Sequence, residues 1–307
     1  MSTPGPPAKV SVCGIRSRRS GTQQRPGSRR ARHCRSSEST EIGDTAATRC
    51  RARGKGTRRM GQLAGRRALV VGASRGLGRG VAEAFLTAGA EVVALSRDMA
   101  PLSELATGQP RLHCEQGDAA DPVLAGQLLD RHRPDVLAIL AGASPLLRPI
   151  AQQTWETFST PWDVDVRIAF TWVREALVRP LEPGSQVIVT SSGAALRGSP
   201  LSGGYAGAKS TVRFLTEYAA QEADREGLGI NFAAVLPQLT PATPFGLAAA
   251  EAYARQGGLG VEEFIKGMGD PVLTPEVAGA AFVSLAAGGT EQTGSYLLAG
   301  TGLRPLG

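Results

Sequence analysis

Tyr205 and Lys209 stand four residues apart, and Ser192 precedes the tyrosine by thirteen. On a helix, positions i and i+4 share a face, so the Lys209 ammonium can lie beneath the Tyr205 phenol. A free tyrosine has a pKa of about 10 and exchanges protons poorly near neutrality. A fixed positive charge beside it favours the phenolate and is expected to bring the pKa toward working pH. Ser192 can then hydrogen-bond the oxygen that gains or loses charge. The trio supports proton transfer beside a carbonyl or an alcohol. Taken singly, Tyr205 reads as a packing residue and Lys209 as a solvated helix position. The functional reading rests on three elements arriving in order: a glycine turn, a serine closing a strand, and the tyrosine–lysine helix.

The glycine turn is Gly72-Ala73-Ser74-Arg75-Gly76-Leu77-Gly78, entered from the apolar run 68–71 and opening a helix. Glycines there permit a tight turn and a close approach of backbone to a pyrophosphate, which the positive helix end would favour. The rival is a glycine turn with no ligand, and the strand–turn–helix context counts against it. The second apolar run ends at Ser96-Arg97-Asp98. An acidic residue at such a strand end binds a ribose 2′-hydroxyl, whereas an arginine accommodates a 2′-phosphate. Ser96 occupies the strand end, and Arg97 and Arg75 both favour NADP(H) over NAD(H); Asp98 speaks for the other cofactor. Asp118 either accepts a hydrogen bond from an adenine amino group or caps the turn before Asp121-Pro122, with equal claims.

The elements that must position these groups read as alternating strands and helices. Apolar runs fall at 68–71, 91–95, 111–115, 136–140, 186–190, 230–236 and 296–298, several of them continuous, as in strands buried on both faces of a parallel sheet. Helical segments fall at 78–88, 123–132, 154–178, 205–226 and 275–286. Gly89 suits a helix end, and Thr274 with Pro275 reads as an N-cap followed by proline at the first helical position. Right-handed crossovers then give an α/β fold, a doubly wound parallel sheet, as a single domain over 60–307.

Residues 1–59 differ in kind. They hold 15 of the 34 lysines and arginines but 3 of the 27 acids, leaving 19 basic against 24 acidic residues in the remainder. Cys13, Cys34 and Cys50 also lie there, and Cys114 is the one cysteine of 60–307, which argues against a disulfide framework and for a reducing, cytoplasmic setting. The basic segment lacks apolar periodicity and reads as disordered. Four readings compete: a nucleic-acid-binding tail, which lacks stacking aromatics; a transit peptide; a tail without a role; or a segment that is not translated, with Met60 as the true start. The last is preferred, because Met60 stands a short step before the first strand, and a native peptide from residues 10–59 in mass spectrometry would overturn it. No apolar run reaches the ~20 residues of a membrane helix. No metal site is expected.

Together, Gly72, Gly76 and Gly78, Ser192, the Tyr205–Lys209 pair and Asp118 resemble the short-chain dehydrogenase/reductase family, and the resemblance covers essentially all of 60–307. It implies a Rossmann-type sheet of about seven strands with a small helical substrate lid. The glycine turn, Ser74, Arg75, Leu77, Ser96, Arg97 and Asp118 would bind the dinucleotide, together with Ala141, Gly142, Pro237 and Thr240. Lys209 would hold the nicotinamide ribose, Tyr205 would be the general acid or base, and Ser192 would polarise the substrate carbonyl. The family's members usually form dimers or tetramers through two long helices, here 154–178 and 205–226.

The chain departs from the family pattern in places. Asn-Asn-Ala-Gly is replaced by Ile139-Leu140-Ala141-Gly142. The asparagine that holds a proton-relaying water is replaced by Asp165, whose charge would alter the titration of the site. Pro-Gly becomes Pro237-Gln238, and the downstream cofactor threonine falls on Thr240 or Thr243. Phe245, Tyr253, Phe264 and Met268 in the lid segment suggest a hydrophobic substrate or simply pack the lid.

The reading is an NADP(H)-dependent oxidoreductase moving a hydride between nicotinamide and a ketone or secondary alcohol, with Ser192, Tyr205, Lys209 and Asp165 as catalytic residues. The alternative is a dinucleotide-binding sensor or scaffold on the same fold. Nucleic-acid binding through residues 1–59 is a third and weaker reading, and predicts a steeply salt-dependent affinity.

Overall fold

The computed structural model describes residues 61–288 and 292–306. The expectations for residues 1–59 and for Met60 as the start lie outside the described residues. Strands β1 (Arg67–Val71), β2 (Glu91–Ser96), β3 (Leu112–Gln116), β4 (Val136–Ile139), β5 (Gln186–Thr190), β6 (Asn231–Pro237), β7 (Gly294–Ala299) and β8 (Gly302–Leu306) form one sheet in the order β3-β2-β1-β4-β5-β6-β7-β8. The first seven are parallel, with Val70 opposite Ala94 and Ala138, and Ile188 opposite Ala233. β8 runs antiparallel to β7 and adds an eighth strand to the seven expected. It is short, lies at the edge and carries Pro305, a residue tolerated where no further strand needs its N–H.

Successive strand side chains point to opposite faces, and each face has its own core. Val70, Val92, Ala138 and Val235 meet Phe85, Leu102 and Phe282 on one side. Leu69, Val71, Leu137 and Phe232 meet Leu128, Trp172 and Val212 on the other. Both faces are therefore covered, which is why these strands read as continuous apolar runs rather than as alternating ones.

The covering helices are α1 (Gly76–Thr87), α2 (Ala100–Ala106), α3 (Pro122–His132), α4 (Trp155–Pro161), α5 (Arg167–Val178), α6 (Ala194–Arg197), α7 (Gly203–Arg225), α8 (Pro244–Gln256), α9 (Val261–Gly267) and α10 (Pro275–Ala286). Thr274 caps α10 by accepting from Val277 N at 3.4 Å. Gly89 follows α1 at φ +98°, the left-handed conformation that suits glycine. The helix expected over 154–178 is interrupted. α4 ends at Pro161, a π-helical turn spans Trp162–Val166, and α5 resumes at Arg167. Proline has no N–H for the usual i−4 carbonyl, and the next residues take wider spacing, as in other single π turns. The lid is helical, built of α8 and α9.

From β1 the chain winds outward to β2 and β3, then returns to β4 on the other side. The strand order thus reverses between β1 and β4, and the crevice beyond their carboxyl ends is where such sheets take ligands.

Candidate active site

The glycine turn starts where β1 ends. Gly72 adopts φ +93°, and a Cβ there would stand 2.6 Å from the backbone nitrogen of Ala141. A Cβ on Gly78 would lie 2.0 Å from the Gly72 carbonyl oxygen, so both positions exclude any side chain. α1 then begins without help. Its N-cap is Arg75 in extended conformation, with no side-chain cap and no acid in the first turn. By contrast, Asp121 caps α3, Thr154 caps α4, and Thr243 caps α8. The first N–H groups of α1 therefore face the crevice without a side-chain acceptor, as an anion site requires. Ser74 and Leu77 are half-buried in this turn, and Leu77 packs onto the core.

At the end of β2, Ser96 Oγ accepts from Asp98 N at 3.2 Å, and the Asp98 carboxylate accepts from Ala100 N at 3.0 Å. Asp98 thus stabilises the start of α2. Arg75 and Arg97 are exposed, and neither guanidinium has an ion-pair partner among the described residues. Asp118 accepts from Ala120 N at 3.0 Å, so the turn-capping role is realised, and the residue remains exposed beside the crevice.

The catalytic candidates converge at the carboxyl end of β5. Ser191 and Ser192 follow that strand and part company. The Ser191 hydroxyl is buried and donates to the Lys209 carbonyl at 2.7 Å. Ser192 accepts from Ala194 N at 3.2 Å, and its hydroxyl lies near enough to the Tyr205 phenol to lower its pKa. Tyr205 and Lys209 lie on the first turns of α7, with the ammonium 5.7 Å from the ring centroid. Lys209 Nζ also donates to the Thr190 carbonyl at 3.1 Å.

Asp165 sits in the π-helical turn, and its Oδ1 lies 2.9 Å from Lys209 Nζ, with the two side chains 1% and 7% exposed. Its other oxygen accepts from Ala143 N at 2.8 Å. A Cβ on Gly142 would stand 2.7 Å from Asp165 Oδ1, so the carboxylate rests directly on that glycine. Asp165 meets the lysine directly, so its charge acts on the site as an ion-pair partner. Ala143, Thr190 and Ser191 also support the site, and only the paired serines hinted at this in the sequence.

The charge balance also corrects the expected titration. Burial pushes the Tyr205 phenol up; Lys209 and the Ser192 hydrogen bond pull it down; Asp165 and Tyr253 push it up again, and the net direction is upward. Burial lowers Lys209, but Asp165 and Tyr205 outweigh it, and the ammonium is held above its usual range. The lysine is a neutralised cation here, which weakens its hold on the phenolate.

Pro237 is buried at the end of β6, and its carbonyl accepts from Gly193 N at 2.8 Å. Thr240 donates to the Gln238 carbonyl at 3.0 Å, and Thr243 donates to the Thr240 carbonyl at 2.9 Å. A Cβ on Gly76 would stand 3.6 Å from the Thr243 methyl, so Thr243 borders the glycine turn. In the lid, the Phe245 ring tilts against Tyr205 at 5.8 Å, while Tyr253 and Phe264 stack on each other at 6.1 Å. A separate recess lined by Leu129, Asp130, Arg133 and Arg179 opens at the amino ends of the strands, away from all these groups.

Residues 66–254 match the family model described as short chain dehydrogenase. L-xylulose reductase of Bos taurus is 34% identical over 192 residues, covering 61% of this chain and 77% of that protein. D-erythrulose reductase of Gallus gallus is 33% identical over 173 residues, covering 54% of this chain and 69% of that protein. Among solved structures, a short chain dehydrogenase from Burkholderia cenocepacia J2315 in complex with NADP superimposes with a TM-score of 0.65 at 23% identity, over 78% of this chain and 98% of the other. One from Mycobacterium avium gives 0.64 at 24% identity, over 80% and 86%. The likeness to these two structures is one of fold.

Proposed function

The chain belongs to the short-chain dehydrogenase/reductase family, NAD(P)-dependent oxidoreductases acting on alcohol and carbonyl groups, and from that premise we propose an NADP(H)-dependent enzyme that interconverts a ketone and a secondary alcohol. The observation that carries the reading is the meeting of Ser192, Tyr205 and Lys209 at the carboxyl end of β5, at the same end of the parallel sheet as a helix start that has no side-chain cap. The turn 72–78 fits a dinucleotide pyrophosphate, because its glycines leave bare backbone and its N–H groups lack side-chain acceptors. Ala141, Gly142, Pro237 and Thr240 or Thr243 would line the rest of that ligand.

When bound, the nicotinamide supplies the hydride chemistry. Tyr205 donates its phenolic proton to the carbonyl oxygen during reduction and recovers it from the alcohol during oxidation. Ser192 hydrogen-bonds that same oxygen. Lys209, fixed by Asp165 and the Thr190 carbonyl, has a third N–H left for a ribose hydroxyl. Its charge supports the phenolate left after proton transfer, and Asp165 sets how strongly.

NADP(H) preference rests on Arg75 and Arg97, both exposed and without carboxylate partners among the described residues, and on Asp98, whose carboxylate already serves α2. Phe245 against Tyr205 gives the substrate an apolar wall. Among the described residues no helix is long and apolar enough to cross a membrane. The reading places the protein in the cytoplasm, which a fluorescent fusion at secretory membranes would refute.

The testing experiment follows NADPH absorbance against a panel of ketones with Tyr205→Phe beside the wild type. Turnover should fall at least ~100-fold in the variant, within the range general acid–base catalysis contributes, while NADPH binding stays within a few-fold. A variant as active as the wild type overturns the mechanism. The alternative is a dinucleotide-binding sensor, which the neutralised Lys209 and the missing family asparagines favour. NADPH binding without turnover on any ketone would support it.

A further inference from the structure

Three hydroxyls join the lid to the catalytic helix. Tyr253 on α8 hydrogen-bonds Ser199, and Ser202 Oγ donates to Ser199 Oγ at 2.7 Å. The Ser202 N–H donates to the same Ser199 oxygen at 3.1 Å. Ser202 is the N-cap residue of α7, yet its side chain makes no cap bond to that helix. Tyr205 follows three residues later.

A hydroxyl has one proton and two lone pairs. Both lone pairs of Ser199 Oγ are taken by Ser202, so Ser199 must donate its proton to the Tyr253 oxygen. That leaves the Tyr253 proton to find an acceptor. The nearest hydroxyl is Ser202 Oγ at 3.5 Å, beyond the ordinary O–H···O range. Tyr253 thus carries an oriented but underused donor. Its ring is braced by Phe264, Phe245 of the same helix touches Tyr205, and its phenol acts on the Tyr205 phenol electrostatically. The donor is carried by the same helix that packs Phe245 against the general acid.

We propose that Tyr253 recognises a second oxygen of the substrate, one close to the reacting carbonyl, so that the preferred substrates are hydroxy ketones and the diols they form. The proposal rests on the oxidoreductase reading above and names the substrate class of that site. The Phe245 side of the cleft takes an apolar flank, and the Tyr253 side takes the oxygenated one. A part-buried donor that gains a full-strength partner from the second oxygen favours substrates that carry it, which is how a hydrogen-bonding site adds discrimination to an apolar one.

The test compares butan-2-one with 1-hydroxybutan-2-one and 4-hydroxybutan-2-one. In the wild type, kcat/KM should favour one of the hydroxy ketones by at least ~10-fold, the size of one well-placed hydrogen bond. Tyr253→Phe keeps the ring stack on Phe264 and should lose most of that preference, through KM rather than kcat. Calorimetry on Tyr205→Phe loaded with NADPH, with and without Tyr253→Phe, reads ketone binding apart from turnover. A Tyr253-dependent binding preference without turnover would sink the oxidoreductase reading and leave the recognition standing. Equal binding of all three ketones, binding of none, or a preference that survives Tyr253→Phe would overturn the proposal.

Discussion

Lys209 shows how one residue changes the meaning of another. In sequence, the i,i+4 spacing from Tyr205 was legible because it is local, and so was the strand-closing serine. The ion pair with Asp165 was not, because a carboxylate 44 positions away reaches the lysine only through tertiary packing. Its effect has a sign. Asp165 raises the Tyr205 pKa, so the phenol keeps its proton to higher pH. Reduction needs the protonated phenol and falls as pH rises through that pKa; oxidation needs the phenolate and rises there. Asp165→Asn should move both limbs toward lower pH, read from pH profiles of kcat in each direction. Unmoved limbs would remove Asp165 from the proton balance. The two exposed arginines make a separate prediction. Arg97→Ala should weaken NADPH binding ~10-fold or more, as loss of a charge-assisted contact would, and leave NADH binding almost unchanged. Equal losses for both cofactors would place Arg97 elsewhere.

At the scale of elements, the boundaries of β5 and α10 were plain from the sequence. One is a continuous apolar run, and the other is marked by Thr274 and Pro275 at its start. The segment 154–178 misled because its apolar spacing continues through Pro161 while its backbone does not. The π-helical turn rotates the residues after it relative to a straight helix and delivers Asp165 to the buried side. β8 was missed because Pro305 and a run of five residues offer little strand pattern. The turn holding Asp165 is also tightly seated. Gly142→Ala would place a methyl 2.7 Å from Asp165 Oδ1. It should destabilise the fold by about 1–3 kcal/mol, as overpacking does, and lower kcat more than it alters NADPH affinity. A variant with wild-type melting temperature and kcat would show that the turn yields freely.

On the scale of the whole molecule, a ridge of aromatic side chains remains open on the long helices. Phe170 on α5 is 52% exposed, and Phe214 and Tyr218 on α7 are 62% and 51% exposed and stack at 6.0 Å. Exposed aromatic side chains of this kind suit an interface. We infer a homodimer or homotetramer built on α5 and α7. Light scattering should find an oligomer that Phe214→Glu with Tyr218→Glu converts to a folded monomer, and a monomeric wild type would refute the inference. The crevice end of the sheet has its own consequence at the bench. The uncapped start of α1 is indifferent to where a phosphate comes from. Phosphate or sulfate in an assay buffer should therefore compete with the dinucleotide, raise its apparent KM in proportion to the salt, and leave kcat alone. Affinities measured in a phosphate buffer and in an amine buffer of equal ionic strength would differ for a reason that lies in seven residues of backbone.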